Sequence, residues 1–335
     1  MGLSGAHIFL ECERLTDYHD GREMLETGPW RSRPMKNGKK LVWSATPTPF
    51  LANGALDVGS LERVVAQHLR LGVTGLFIAG TCGEGPFMPN PQRVELVFRM
   101  KRLAQGRLHL AAQVSDTSAA RVKDNMAYMA DAGADSVVIA APWIRNFCTK
   151  EFVRRYFFEA IEAATLPVGI YIIKQPADSP LNMGMWIEIA SHPKVRFLKD
   201  SSASEEYMKA LAAVKAKRPE LMLETGYEFD VITAAEAGYD GCLLGTGILI
   251  GGMIRRALDA LAAGDKAAAE AWQKRSNEFL WDLFRRDISI WLGGLKYALK
   301  RLGIFSDEFM HMIYPLTAED RKRIDAALER EREFV

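Results

Sequence analysis

From Leu41 onward the chain settles into a regular alternation. Short apolar or β-branched runs have the length of strands, and longer runs between them carry apolar residues at helical spacing. The pattern predicts strands at 41–46, 75–79, 108–113, 135–140, 167–172, 195–199, 220–224 and 241–245. It predicts helices at 57–71, 91–104, 117–132, 150–164, 183–191, 203–216 and 229–237, and another from about 251 to 263. Several helices open on a cap: Asp57, Asn90 with Pro91 at the first helical position, Thr117 and Thr149. Ser202 and Glu205 have the spacing of a capping box. Eight strands alternating with eight helices in about 220 residues match a (β/α)8 TIM barrel. A doubly wound open sheet is the rival, but no G-x-G-x-x-G follows the first strand.

Beyond Gly264 no strand signal returns, and 265–285, 288–302 and 317–331 read as helices, the last with Thr317 and Asp320 placed to cap it. The organisation expected is an N-terminal extension at 1–40, the barrel at 41–263 and a helical C-terminal region at 264–335. That appendage either covers one side of the barrel or builds a subunit contact. In the extension, Arg31-Ser32-Arg33-Pro34 and Lys39-Lys40 favour a loop or an arm.

Composition narrows the class. The 335 residues carry a net charge of +1, so no basic surplus calls for nucleic acid. The longest uncharged run, Gly241 to Ile254, is too short and glycine-rich for a membrane span, and the N-terminus lacks the apolar core of a secretory signal. Cys12, Cys82, Cys148 and Cys242 are scattered without metal or disulfide spacing, which makes a reducing cytoplasm the default. The six histidines are dispersed, with no H-E-x-x-H, and no G-x-S-x-G elbow occurs.

In a barrel the loops after the strands build the active site. The sixth strand delivers Lys199, on the same face as Val195 and Phe197. A lysine at the rim of an apolar funnel is desolvated, which frees a neutral amine for a carbonyl carbon; the bland alternative is a surface lysine. The second strand delivers Gly80-Thr81-Cys82-Gly83-Glu84-Gly85, where backbone N–H groups can approach an anion and Thr81 can donate or relay a proton. The fourth delivers Trp143, to wall a pocket or pack under its loop, and Arg145, to meet a substrate carboxylate or simply face solvent. The fifth delivers Tyr171, a proton-transfer residue or a barrel-lining aromatic, and Lys174 beyond it, a rival amine in a loop. The eighth delivers Gly245-Thr246-Gly247, a second glycine loop or a tight turn. A lysine, hydroxyl donors and anion-binding loops suit imine chemistry on a 2-oxo acid.

These residues resemble a known family. Gly80-Thr81-Cys82-Gly83-Glu84 is similar to the G-[TS]-T-G-E motif of the dihydrodipicolinate synthase/N-acetylneuraminate lyase family. Phe197-Leu198-Lys199-Asp200-Ser201-Ser202 falls where that family has its Schiff-base lysine. Thr46-Pro47-Thr48-Pro49-Phe50, Ala132-Gly133-Ala134-Asp135 and Gly294-Leu295-Lys296-Tyr297-Ala298 resemble further family segments, so the likeness runs from about 41 to 331. It implies that Lys199 forms an imine with pyruvate or a similar acid, that Thr81 and the backbone of Cys82 and Gly83 hold the carboxylate, and that Gly245 borders it. It also implies a homotetramer or homodimer and no cofactor. Two departures stand out. Pro142-Trp143-Ile144 lacks the tyrosine that the family carries after strand four, and Cys82 replaces the second threonine. This sets the chain apart from dihydrodipicolinate synthase proper, and leaves open a barrel that binds a small 2-oxo acid as sensor or scaffold without turnover. A related group, hydratase-aldolases of aryl-substituted pyruvates, also carries a tryptophan near this loop, which points to a bulky or aromatic aldehyde as second partner.

Overall fold

A computed structural model describes residues 39–143, 148–173, 176 and 179–335. Residues 39–335 form one compact unit. Eight parallel strands close into a barrel in sequence order, with β8 paired to β1. They are β1 (Leu41–Ala45), β2 (Gly75–Ile78), β3 (His109–Gln113), β4 (Ser136–Ala140), β5 (Val168–Ile173), β6 (Val195–Ser201), β7 (Met222–Thr225) and β8 (Gly241–Leu244). The intervening helices are α1 (Val58–Arg70), α2 (Asn90–Ala104), α3 (Ala119–Asp131), α4 (Lys150–Ala163), α5 (Met183–Ala190), α6 (Glu205–Lys217) and α7 (Val231–Glu236), and α8 (Gly247–Ala262) follows β8. Three helices complete the unit: α9 (Lys266–Phe284), α10 (Trp291–Arg301) and α11 (Ala318–Arg330). The alternation read from the chain is thus the (β/α)8 barrel expected, with helices after it.

Local differences have local causes. The cap of α2 is Pro89, not Asn90, and that of α3 is Ser118, whose hydroxyl accepts the Arg121 N–H, not Thr117. Thr117 is instead engaged by the Asp116 carboxylate through its N–H, at 2.7 Å. The expected Ser202–Glu205 box is absent. β6 runs on to Ser201, two residues past Lys199, so α6 starts later behind Ser204, with no side-chain cap. α8 begins at Gly247, earlier than 251. Asp57, Thr149 and the Thr317–Asp320 box cap as expected.

Register decides what fills the barrel. Inward positions come from alternate strands and stack in layers. Phe77, Val138, Lys199 and Leu243 share one layer, and Trp43, Ala111, Gly169 and Glu224 lie beneath it. Below the lysine layer Trp43 and Phe197 pack together, their rings 5.6 Å apart. Two glycines make room for them. A Cβ on Gly75 would sit 2.3 Å from the Trp43 ring, and one on Gly169 would sit 2.1 Å from Phe197.

Candidate functional site

Lys199 points into the barrel and is only 5% exposed. Its ammonium lies 4.4 Å from the ring centre of Tyr171 and 5.6 Å from that of Phe77. The two rings meet edge to face, at 5.9 Å and 82°, as a corner under the amine. Gly226 opens the path for the side chain, since a Cβ there would stand 2.6 Å from Lys199 Cε and 2.1 Å from Ser201 Oγ. No hydrogen bond or ion pair among the described residues holds the nitrogen. Behind the strand, Asp200 faces away from the barrel and accepts the Tyr239 hydroxyl at 2.8 Å and the Ser202 N–H at 2.9 Å.

The loop after β2 turns sharply at the same mouth. Ala79 and Glu84 adopt left-handed backbone, and Gly85 is obligatory, because a Cβ there would meet the Ala79 carbonyl oxygen at 1.8 Å. The Glu84 N–H returns to Thr81 O and that of Gly85 to Gly80 O. The N–H groups of Cys82 and Gly83, between them, donate to no described residue, and neither does the Thr81 hydroxyl. Both residues are buried, so this loop holds two donors that no described residue satisfies. Cys82 Sγ donates to Gly245 O at 3.4 Å, joining the loops after β2 and β8. Burial pushes the Cys82 thiol up to about 12, with the Lys199 charge pulling the other way. It is a neutral, weak donor rather than a nucleophile.

The remaining sequence-chosen residues divide. Tyr171 does approach the lysine, and its hydroxyl bonds to no described residue. Trp143 is half-buried, with its indole N–H on Ser115 O at 3.1 Å, so its ring is fixed by the loop after β3. Arg145 and Lys174 lie outside the described residues. The N–H of Gly245 is already engaged, by Glu228 Oε1 at 2.7 Å. A Cβ on Gly245 would stand 3.3 Å from Glu228 Oε1, so any larger residue would press on the carboxylate that holds this loop.

Two acids went unnoticed in the sequence. Glu228, in the loop after β7, has its carboxyl raised mainly by burial, and the Lys199 charge lowers it in part. Glu224, on β7, pairs in register with Lys199 and is wholly buried. Its position inside the predicted strand 220–224 was a signal, since a strand interior seldom carries an acid without a reason. For Glu228 no local signal exists. The C-terminal helices hold this side of the mouth as well: from α9, Gln273 donates to Glu228 O at 2.9 Å and Asn277 to Phe229 O at 2.9 Å.

Residues 39–331 match the dihydrodipicolinate synthetase family. The chain is 28% identical over 296 residues to the 4-hydroxy-tetrahydrodipicolinate synthase of Jannaschia sp., covering 85% of this chain and 95% of that protein. It is 26% identical over 267 residues to the N-acetylneuraminate lyase of Lactiplantibacillus plantarum, covering 79% and 89%. The solved structure of dihydrodipicolinate synthase from Acinetobacter baumannii, complexed with pyruvate, has a TM-score of 0.76 at 21% identity, over 89% of this chain and 99% of that one. That last likeness speaks for the fold alone. A family match over most of the chain carries more, and on it the chain belongs to the dihydrodipicolinate synthetase family and is a lyase of the class I aldolase type.

Proposed function

We propose that this lyase condenses Lys199 with pyruvate or another small 2-oxo acid. One observation carries the reading: an unpartnered amine inside the barrel opens onto the mouth where the Cys82 and Gly83 N–H groups and the Thr81 hydroxyl lie unused. A planar 2-oxo acid needs both features at once. Its carboxylate takes the two N–H groups and the hydroxyl, with charge assistance. Its ketone carbon then faces the amine. The nitrogen forms a bond to that carbon, the oxygen leaves as water, and the protonated imine draws electrons from the neighbouring bond. The solved relative bound to pyruvate supports the substrate class.

The second substrate is an aldehyde in our reading. Trp143, fixed by Ser115, offers an apolar wall for a bulky one. With Ile144 where the family has tyrosine, the enzyme is not classical dihydrodipicolinate synthase. Tyr171 and Thr81, whose hydroxyls are both uncommitted, are the groups in place to move protons at the substrate. Action in the cytoplasm as a homotetramer or homodimer, without a cofactor, completes the proposal; among the described residues no helix is long and apolar enough to cross a membrane.

The test is reductive trapping. Incubation with pyruvate and borohydride should add one reduced pyruvate to the intact mass, and Lys199→Ala should abolish the adduct while keeping the fold. An unmodified parent, or equal labelling of the variant, would refute the assignment of Lys199. A panel of 2-oxo acids and aldehydes then separates turnover from the binding-only alternative, which predicts thermal stabilisation and no product.

A further inference from the structure

Forming a protonated imine from a neutral amine and a ketone consumes a proton. The balance is amine plus ketone plus proton giving iminium plus water. On the lyase reading above, a proton must reach the barrel interior with each condensation and leave with each release. Thr81 and Tyr171 serve the substrate end. The amine end faces Glu224.

Glu224 lies in register with Lys199 on the adjacent strand, and parallel register partners point to the same face. It is 0% exposed, and neither carboxyl oxygen has a hydrogen-bond partner. Its neighbours within the barrel leave it isolated. Gly241, its partner on β8, has no side chain, Met222 on β7 and Gly226 just beyond it flank it on the same face, and its layer is completed by Trp43, Ala111 and Gly169. The other titratable groups near it among the described residues are accounted for. At the mouth stand Tyr171, Cys82 and Glu228, the last bonded to Gly245 N. Below, His109 bonds to Ser136 Oγ at 2.8 Å and stacks on Trp43. Behind the sheet, Asp240 is paired with Lys215 at 2.8 Å, and Cys242 meets Leu41 O. Among the described residues, Lys199 is thus the unpaired cation that faces this acid.

An acid buried without partners is costly unless it is neutral, and burial does raise the Glu224 carboxyl well above the ordinary glutamate range. The Lys199 charge works in the opposite direction. The state of one group therefore sets the state of the other.

We propose that Glu224 is the proton depot of Lys199. While the amine is neutral and nucleophilic, Glu224 holds the proton as a carboxylic acid. On condensation the proton passes to the departing oxygen, which leaves as water, and the resulting carboxylate is the counter-ion of the iminium. On hydrolysis of the imine the proton returns. No ion pair joins the two side chains directly, so one bridging water carries the transfer. Glu224 reaches the substrate oxygen only through that water.

The test compares the full-length parent, Glu224→Gln, Glu224→Leu and Glu224→Asp by pyruvate titration and borohydride trapping across pH, with Lys199→Ala as the blank. The Gln and Leu variants are expected to hold pyruvate about tenfold more weakly, because the iminium loses its counter-charge. The alkaline limb of their trapping profile is expected to move to lower pH, because no buried acid remains to supply the proton that dehydration needs when solvent protons are scarce. Glu224→Asp should restore part of both. Parent-like affinity and an unmoved alkaline limb in either folded variant would overturn the proposal. So would loss of the fold in both, since that makes the acid structural. No adduct in the parent would instead remove the lysine-imine reading on which this inference rests.

Discussion

Two lysine–glutamate couples lie buried in this molecule, and they are built in opposite ways. In the first, Lys296 of α10 and Glu84 of the β2 loop touch directly, and both are 0% exposed. Lys296 also donates to Phe309 O at 2.8 Å and lies 4.5 Å from the ring centre of Phe50. The other oxygen of Glu84 accepts the N–H groups of His311 and Met312. In the second couple, Lys199 and Glu224 are neighbours in register, yet among the described residues neither has a hydrogen bond or an ion pair. Burial is common to both couples; satisfaction is not. The satisfied couple ties the C-terminal segment to the loop that presents the Cys82 and Gly83 N–H groups. The unsatisfied couple is the one proposed to exchange a proton. On that proposal, the missing partner among buried titratable groups marks the chemistry.

The comparison can be broken from the satisfied side first. Lys296→Ala leaves Glu84 buried without its cation and should cost about 3–5 kcal/mol in urea unfolding. Loss of pyruvate trapping should follow only where the β2 loop opens. A cost near zero would mean that the couple is not what fastens the loop.

His68 sharpens the rule with a group satisfied in its neutral form. It is 0% exposed, with Nδ1 donating to Val64 O at 2.7 Å and Nε2 placed 2.9 Å from Ser44 Oγ. Burial lowers it to about 4, against 6.5 for an ordinary histidine. The unfolded chain binds the extra proton, so this contribution is complete above pH 6.5 and is lost as pH falls toward 4. The loss should reach about 3 kcal/mol. Chemical unfolding at stepped pH should show this acid slope in the parent and a flatter one in His68→Gln.

The smallest effect, and opposite in sign, belongs to the unsatisfied side. Glu224→Leu removes a partnerless acid and should stabilise the fold by roughly 1–3 kcal/mol. The gain should grow with pH. The raised carboxyl of Glu224 stays protonated in the fold while the unfolded chain ionises from about 4.5 upward, so the parent loses stability as pH rises and the leucine variant does not. A destabilised Glu224→Leu would place this acid among the structural ones.

Much of this architecture was legible before any coordinates. Strand positions follow from β-branched runs bounded by turns, and Lys199 stands out at the end of one of them. What escaped reading was set by long-range pairing. A one-residue change in register sends a side chain to the other face of the sheet, so Glu224 and Lys199 become neighbours only once β6 and β7 are aligned. The Glu228–Gly245 bond likewise links two loops that no local pattern connects. The expected cap at Thr117 failed for another reason. Adjacent hydroxyl residues are nearly equivalent as caps, and the Asp116 carboxylate, by claiming Thr117, decided between them.

The pairing of Trp43 with Phe197 beneath the Lys199 layer carries a kinetic consequence for the proposed reaction. Two aromatic rings fill the barrel under the lysine, so a 2-oxo acid that condenses with Lys199 takes the deeper berth and an aldehyde the outer one. On that proposal steady-state rates should follow a compulsory sequence, with the acid seated before its partner arrives and excess aldehyde acting as a competitive inhibitor against the acid.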